Sequence, residues 1–343
     1  MGFKTFVAIY LAIVIGVSSF IVVAMQKPKQ NTEVSTSNHF SVVWMGFAPP
    51  DYSSEYPEYY ICINNLKDDP LRMQIALQIK NQESSPFYFK IDKYGSPPSG
   101  WTILPGIVGK VDVDETKQFV FDNIFRSRPA SIPEGRLTES ITLVVQAYYD
   151  PYYTNLYSED YFSITFNFLD YTSSQWAILY HDDFDDGQKQ GWSVIYEGWG
   201  KFSDHYGASI STTDLYYRSF QFSLQLYTWA KFFTDISGWY YSWARAAYTK
   251  SFNIGAVSEA YLIFSLRSEN WDAHMLYGIK INGVTYYKCD VTPSPNVWYQ
   301  FAIKLKPCEV NTVQIWVAGA YSSPTKPQVN IYSYLDDVYV IAR

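Results

Sequence analysis

Arg72 to Asn81 reads RMQIALQIKN, and apolar and polar side chains alternate along it. In a β-strand successive side chains point to opposite faces, so a period of two places the apolar residues on one face. That face carries Met73, Ile75, Leu77 and Ile79, and the other carries Gln74, Gln78 and Lys80. The segment is therefore predicted to be a β-strand with one buried and one solvated face.

Segments of the same kind continue along the first half of the chain. SITLVVQAYY (140–149) and YFSITFNF (161–168) alternate in the same way, and clusters such as KDDP and GSPPSG separate the segments. About seven or eight strands are predicted between residues 40 and 172, which is typical of an immunoglobulin-like β-sandwich. A jelly roll is the alternative for this region.

Residues 173–343 show a second series of predicted strands. About nine strand-like segments occur there, and no amphipathic helix pattern interrupts them. Asn282-Gly283, within KINGVTYY (280–287), is a strong signal for a two-residue β-hairpin turn. We therefore predict a second β-sandwich in this half.

The N-terminal segment is apolar and differs from everything after it. Phe6 to Met25 is uncharged and, as a helix, would span roughly 30 Å, the thickness of a bilayer core. We predict a membrane anchor or a signal within residues 1–25, followed by a polar stalk at 26–39. The predicted fold class is thus all-β: an N-terminal transmembrane helix, an immunoglobulin-like sandwich (40–172) and a jelly-roll sandwich (173–343). This places a single-pass protein in the cell membrane with most of the chain extracellular.

Charge and motifs exclude several classes of function. The net charge is −7, and no Lys/Arg cluster is present, which argues against a nucleic-acid partner. The sequence has no G-x-S-x-G nucleophile elbow and no Gly-rich phosphate loop. Its four His residues show no H-x-x-x-H spacing. We therefore expect a protein that is not an enzyme.

The second half resembles the jelly-roll domains of carbohydrate-binding modules and their galactose-binding-like relatives. HDDFDDGQKQGW (181–192) is similar to the opening of that family, and YSYLDDVYVI (332–341) is similar to its last strand. The resemblance covers about residues 175–343. The first half is similar in style to β-sandwich spacers of microbial, especially archaeal, surface proteins.

This resemblance implies a structural calcium site. In the family the first and last strands lie side by side, and acidic groups from both hold Ca²⁺ through oxygen ligands. The matching positions are Asp183, Asp185 and Asp336, with Asp182, Asp186 and Asp337 as second choices. Alternatively, these residues form a solvated acidic turn and an exposed strand end.

The resemblance also implies a sugar site built from aromatic rings. Sugar-binding sites stack ring faces on pyranoses and use a few planar polar groups. The aromatic candidates are Trp229, Trp239, Tyr241, Trp243 and Trp271. Alternatively, the same rings cover the sandwich or pack on the first domain.

Three cysteines are present, and two of them are close in sequence. Cys289 and Cys308 lie on consecutive predicted strands, and an exported chain could join them in a disulfide bond if those strands are adjacent. Cys62 is expected to be a small buried apolar residue.

Three classes of function remain. We expect first a non-catalytic surface protein that binds a glycan or an envelope component through its C-terminal jelly roll. A structural subunit of an envelope or surface appendage is the alternative, in which the aromatic residues contact another protein. A glycoside hydrolase is the third.

Overall fold

The computed structural model describes residues 33–36, 39–44, 50–51, 58–64, 70–104, 106–130, 132–200, 202–218, 221–235, 238–269, 278–288 and 296–343. The strands of the first half are β1 (Glu33–Thr36), β2 (Phe40–Trp44), β3 (Pro50–Asp51), β4 (Glu58–Cys62), β5 (Leu71–Asn81), β6 (Phe87–Lys93), β7 (Trp101–Ile103), β8 (Ile107–Val111), β9 (Thr116–Arg126), β10 (Arg136–Tyr148) and β11 (Leu156–Leu169).

These strands form two sheets that face each other across an apolar core. One sheet has the order β1-β2-β5-β9-β7 and the other β3-β4-β11-β10-β6-β8. Within them, β2-β5-β9-β7 and β6-β10-β11 follow the A-B-E-D and C-F-G orders of an immunoglobulin sandwich. In β5 the apolar residues Leu77 and Ile79 are buried in the core and the polar residue Lys80 is exposed, as the alternation of apolar and polar residues predicts.

The second half forms another pair of sheets. Its strands are β12 (Ala177–Asp182), β13 (Ser193–Trp199), β14 (Tyr206–Thr213), β15 (Ser223–Lys231), β16 (Phe233–Asp235), β17 (Gly238–Tyr240), β18 (Trp243–Asn253), β19 (Ala260–Ser268), β20 (Gly278–Ile281), β21 (Val284–Lys288), β22 (Tyr299–Leu305), β23 (Val310–Tyr321) and β24 (Gln328–Ala342). We name the sheet β14-β15-β24-β19-β22 sheet I and the sheet β13-β18-β23-β20-β21 sheet II. β16 and β17 form a separate two-stranded hairpin.

The hairpin predicted at Asn282-Gly283 is confirmed. It joins β20 to β21, and both turn residues have positive φ angles, 52° and 78°. This is the backbone that a type I′ turn requires, and Asn and Gly adopt it at the lowest cost.

Strand β24 is central to sheet I and changes its neighbour partway along. Its first part pairs with β15, and its last part, from Val338, pairs with β12 instead. This change of partner occurs next to an irregularity in the pairing of β24 with β19, at Asp336 and Asp337. Asp337 has a φ angle of 52°. The first and last strands of this half are therefore neighbours.

The two sandwiches touch through an apolar cluster. Tyr60 and Cys62 of β4 pack with Tyr261 and Ile263 of β19, and Trp176 from the connecting segment joins them. The remaining buried members are Leu169, Ala302 and Ile341. The connection between the sandwiches is thus packed against both of them.

The predicted fold class needs one correction. The segment Phe6 to Met25 lies outside the described residues, and among the described residues no helix is long and apolar enough to cross a membrane. In that same part of the chain, the helical structure is limited to one 3-10 turn at Ser203–His205. The predicted fold class is therefore corrected: over the described residues the protein is all-β, without the N-terminal transmembrane helix that this class included.

Candidate aromatic binding surface

Three aromatic residues lie side by side on the outer face of sheet II. Trp199 on β13 is directly opposite Trp243 on β18, and Trp243 is directly opposite Tyr321 on β23. Neighbouring strands are about 4.8 Å apart, so the three residues form a row perpendicular to the strands. Trp199 and Tyr321 are 56% and 52% exposed, while Trp243, between them, is half-buried. We call these three residues the aromatic row.

The alternation of β18 explains why the row faces outward. Ala244, Ala246 and Tyr248 are fully buried. Trp243 and Arg245 alternate with these residues along the strand, so their side chains point away from the core. The strand registers then bring the outward residues of β13 and β23 beside them.

More rings extend the row toward the β16–β17 hairpin. Tyr241 stacks on Tyr321, with ring centroids 6.0 Å apart and an interplanar angle of 17°. Phe232 contacts Tyr241 at 5.5 Å and Trp239 at 6.5 Å. Trp239, near the end of the hairpin, is 67% exposed. Ring contacts thus lead from Tyr321 in the row to Trp239 on the hairpin.

A charged pair lies in the next row along the strands. Glu197 and Arg245 are directly opposite each other, and the Arg245 Nε donates to Glu197 Oε2 at 2.9 Å. The guanidinium also lies over the Trp316 ring, 4.9 Å from its centroid. On β23 the corresponding position is Gly319, which adds no side chain to this row. Planar, partly exposed polar groups thus lie next to the aromatic row.

This combination matches the chemistry of a sugar-binding surface. Aromatic faces pack against the C–H faces of pyranose rings, while carboxylate and guanidinium groups exchange hydrogen bonds with hydroxyl groups. Two strand spacings give the row a length of roughly 10 Å, comparable to a disaccharide unit. Trp and Tyr have only two side-chain torsions, so little side-chain entropy is lost when their rings are immobilised on binding.

The structure divides the predicted aromatic residues between two surfaces. Trp239, Tyr241 and Trp243 belong to the surface on sheet II, whereas Trp229 lies on the outer face of sheet I. Trp271 lies outside the described residues. Trp199 and Tyr321 were not singled out from the sequence, because only the pairing of β13 and β23 with β18 brings them beside Trp243.

The predicted calcium ligands each accept hydrogen bonds from the backbone. Asp336 is fully buried, and its Oδ2 accepts from the Arg218 backbone N–H at 2.7 Å. Asp185 accepts from the Gln221 N–H at 3.0 Å. Asp183 accepts from the N–H of Asp185 at 3.2 Å.

Basic side chains neutralise part of this acidic region. Lys250 Nζ lies 2.6 Å from Asp182 Oδ2, and Trp192 Nε1 donates to the same oxygen at 2.9 Å. Arg218 lies 3.7 Å from Asp337. Within the described part of the chain, no group of three or more His, Cys, Asp or Glu residues is arranged to hold a metal ion. Calcium, with Asp183, Asp185 and Asp336 as its ligands, stays a prediction from the sequence resemblance.

The strands that the disulfide prediction required to be adjacent lie in different sheets. β21, which precedes Cys289, belongs to sheet II, and β22, which precedes Cys308, belongs to sheet I. Cys289 itself lies outside the described residues, so the bond stays a prediction. Cys308 is exposed, and Cys62 is buried as expected.

Comparison with known proteins finds similarity only among solved structures. No protein-family model and no curated protein matches the chain. A structure described as a carbohydrate-binding module of the β-sandwich superfamily is 10% identical with a TM-score of 0.29, covering 80% of this chain and 94% of that one. The carbohydrate-binding module TmCBM61, solved with β-1,4-galactotriose, is 11% identical with a TM-score of 0.29, covering 47% and 94%. An adhesin domain of Lys-gingipain from Porphyromonas gingivalis W83 is 15% identical with a TM-score of 0.30, covering 48% and 98%.

These structures are β-sandwich carbohydrate-binding modules and an adhesin domain. At TM-scores of 0.29 and 0.30 the similarity carries no argument about what this chain binds.

Proposed function

We propose that the protein is a non-catalytic glycan-binding protein and that its second sandwich binds a polysaccharide along the aromatic row. The observation that carries the proposal is the alignment of Trp199, Trp243 and Tyr321 on three adjacent strands. An aromatic surface of this size, exposed on a folded domain, usually marks a binding site. Location outside the cell, where polysaccharides are met, is part of the same proposal.

The polar pair beside the row supports a sugar over a purely apolar ligand. Glu197 and Arg245 satisfy each other in the free protein and are both partly exposed, with side-chain exposures of 46% and 30%. A hydroxyl-rich ligand can bridge such a pair, whereas a hydrocarbon ligand would have to remove it from water without new hydrogen bonds.

The test is native affinity electrophoresis of the full chain in gels that contain galactan, xylan, galactomannan or β-glucan. We expect at least one polysaccharide to retard the protein, and we expect Trp199→Ala and Tyr321→Ala to weaken the retention by about tenfold or more. Tyr196→Ala is the matched control. Tyr196 lies on the same strand as Trp199 and is similarly exposed, but its ring contacts Tyr206 instead of the row.

Two outcomes would contradict the proposal. If Trp199→Ala and Tyr321→Ala leave the retention unchanged, the aromatic row is not part of the binding site. Concentration-dependent self-association that these variants abolish, without retention by any of the polysaccharides, would instead favour a structural subunit that assembles through this surface.

A further inference from the structure

A second group of stacked rings lies on the opposite side of the same sandwich. Tyr227 and Trp229 on β15 and Tyr332 on β24 project from the outer face of sheet I. Tyr227 stacks on Trp229 at 5.2 Å with an interplanar angle of 23°, and on Tyr332 at 5.0 Å with an angle of 22°. All three rings are half-buried, so each keeps part of its surface in contact with solvent. We call these three residues the aromatic stack.

The neighbouring strand β14 is adapted to the stack. Gly207 is directly opposite Trp229, and a Cβ added to Gly207 would lie 2.5 Å from Cζ2 of the indole. The indole therefore lies across the position that a side chain on β14 would fill. The φ angle of Gly207 is not in the left-handed region, so backbone conformation does not explain the glycine. Glycine is required here because the ring of Trp229 approaches the backbone closely.

The polar group that hydrogen-bonds to the rings of the stack is uncharged, and charged residues lie beside it: Glu269 donates its backbone N–H to the Tyr332 carbonyl at 2.9 Å, and Arg267 is directly opposite Tyr334. Asn330 is directly opposite Trp229, and its Oδ1 accepts from the Tyr227 hydroxyl at 2.9 Å and from Gln328 Nε2 at 3.3 Å. The strand registers place Ser209 beside Tyr227 and Ser211 beside Gln225 on the same face. Lys231 follows two residues after Trp229, at the end of β15.

These neighbours suit a sugar ligand. Amide and hydroxyl groups both donate and accept hydrogen bonds, which suits the hydroxyl groups of a neutral sugar. The stack and the polar groups beside it thus fit a ligand that has a flat apolar face and a polar rim.

We propose that the aromatic stack is a second glycan-binding site and that the chain bridges two polysaccharide strands held on opposite faces of one sandwich. The proposal rests on the proposed function, because it takes the ligand to be a polysaccharide. The outer faces of two packed sheets point in opposite directions, so one linear polysaccharide segment does not contact both surfaces at once. Simultaneous binding would cross-link the polysaccharide.

The experiment measures retention and cross-linking separately, on the full chain. Soluble galactan, xylan, galactomannan and β-glucan are the probes. Retention is read by affinity electrophoresis, and cross-linking by the turbidity of the mixed solutions. Two double variants are used. The stack variant combines Tyr227→Thr with Tyr332→Thr, and the row variant combines Trp199→Ala with Tyr321→Ala. Thr is β-branched and keeps the strand propensity of the outward positions. Tyr152→Ala, at an 82% exposed tyrosine in the first sandwich, is the control.

We expect the unaltered chain and Tyr152→Ala to be retained and to produce turbidity. Each double variant should still be retained, with apparent affinity reduced about tenfold or more, and should lose the turbidity. Tyr227→Phe, which keeps the ring and removes only the hydroxyl, should retain the turbidity. Melting temperatures close to that of the unaltered chain show that a loss arises at the surface and not from unfolding.

The failures of the two proposals are distinguishable. If the stack variant keeps full retention and turbidity, the second site is overturned and the row stands. If the row variant keeps its retention and its turbidity while the stack variant loses all retention, the row is not a binding site. The proposed function of the row and the bridging proposal are then both overturned. Light scattering shows whether the unaltered chain forms a dimer. If it does, and the turbidity rises only as the dimer forms, bridging by a single sandwich is overturned. No retention of the unaltered chain by any of the four polysaccharides overturns both proposals.

Discussion

Arg136 of the first sandwich donates from Nη1 to Glu259 Oε2 of the second at 3.1 Å. The same carboxylate accepts from the Tyr261 hydroxyl at 2.7 Å and pairs with Arg343. The Arg343 guanidinium also lies over Trp176 at 4.7 Å and donates to the Glu134 carbonyl of the first sandwich at 3.2 Å. Glu259 is thus the polar centre of the contact between the sandwiches.

The contact should therefore weaken in acid. Burial alone would raise the pKa of Glu259, but the hydrogen bonds from Tyr261 and Arg343 and the charges of Arg343 and Arg136 hold this pKa below its ordinary value of 4.5. A lowered carboxyl pKa contributes stability above the ordinary value, and this contribution is lost as pH falls through the folded-state pKa. We expect the difference in melting temperature between the unaltered chain and Glu259→Gln to be largest near neutral pH and to shrink below pH 4.5. A difference that is constant with pH would show that Glu259 acts through packing alone.

Lys250→Met should be among the most destabilising single changes in the second sandwich. Lys250 and Asp182 have side-chain exposures of 12% and 8%, and the substitution leaves a nearly buried carboxylate with only the Trp192 donor. Removing one partner of a buried ion pair costs about 3–5 kcal/mol, to be measured by urea denaturation. The double variant Asp182→Asn with Lys250→Met should recover part of this loss. Equal stability of the single and double variants would argue against charge pairing.

Asp336→Ala should destabilise the fold whether or not calcium is present. The Asp336 carboxylate accepts from the backbone N–H groups of Arg218 and Asp337, both at 2.7 Å. A buried donor left without a partner costs about 1–3 kcal/mol. The melting temperature should fall in EDTA as well as in added calcium. A loss confined to the calcium-containing sample would make metal binding the role of Asp336, as the sequence resemblance implies.

Gly207→Ala should displace the indole of Trp229. The added Cβ would meet Cζ2 at 2.5 Å, and the ring would have to tilt off β14. We expect a red shift of tryptophan fluorescence and a loss of stability of about 1–3 kcal/mol. An unchanged spectrum, with Gly207→Ala still folded, would show that the strand moves instead of the ring.

Sequence alone predicts the strands well and the surfaces poorly. Leu77 and Ile79 are buried as their alternation indicates, and Asn282-Gly283 forms its hairpin, because both patterns are local. The aromatic row and the aromatic stack depend instead on the register between strands that are far apart in the chain. Tyr227 and Tyr332 lie about a hundred residues apart and meet only because β15 pairs with β24. Register is set by the burial of a whole sheet, so no short segment reveals it.

Strand β24 has a consequence for how the protein is made. It lies between β15 and β19, and later between β12 and β19, yet it is the last of these strands to leave the ribosome. Sheet I therefore stays open along its centre until translation has passed residue 342, and β15 and β19 present unpaired edges until then. The immunoglobulin-like half can close much earlier, since its strands are complete at Leu169. Pulse-chase proteolysis on stalled ribosomes should thus find the first sandwich protected long before the second.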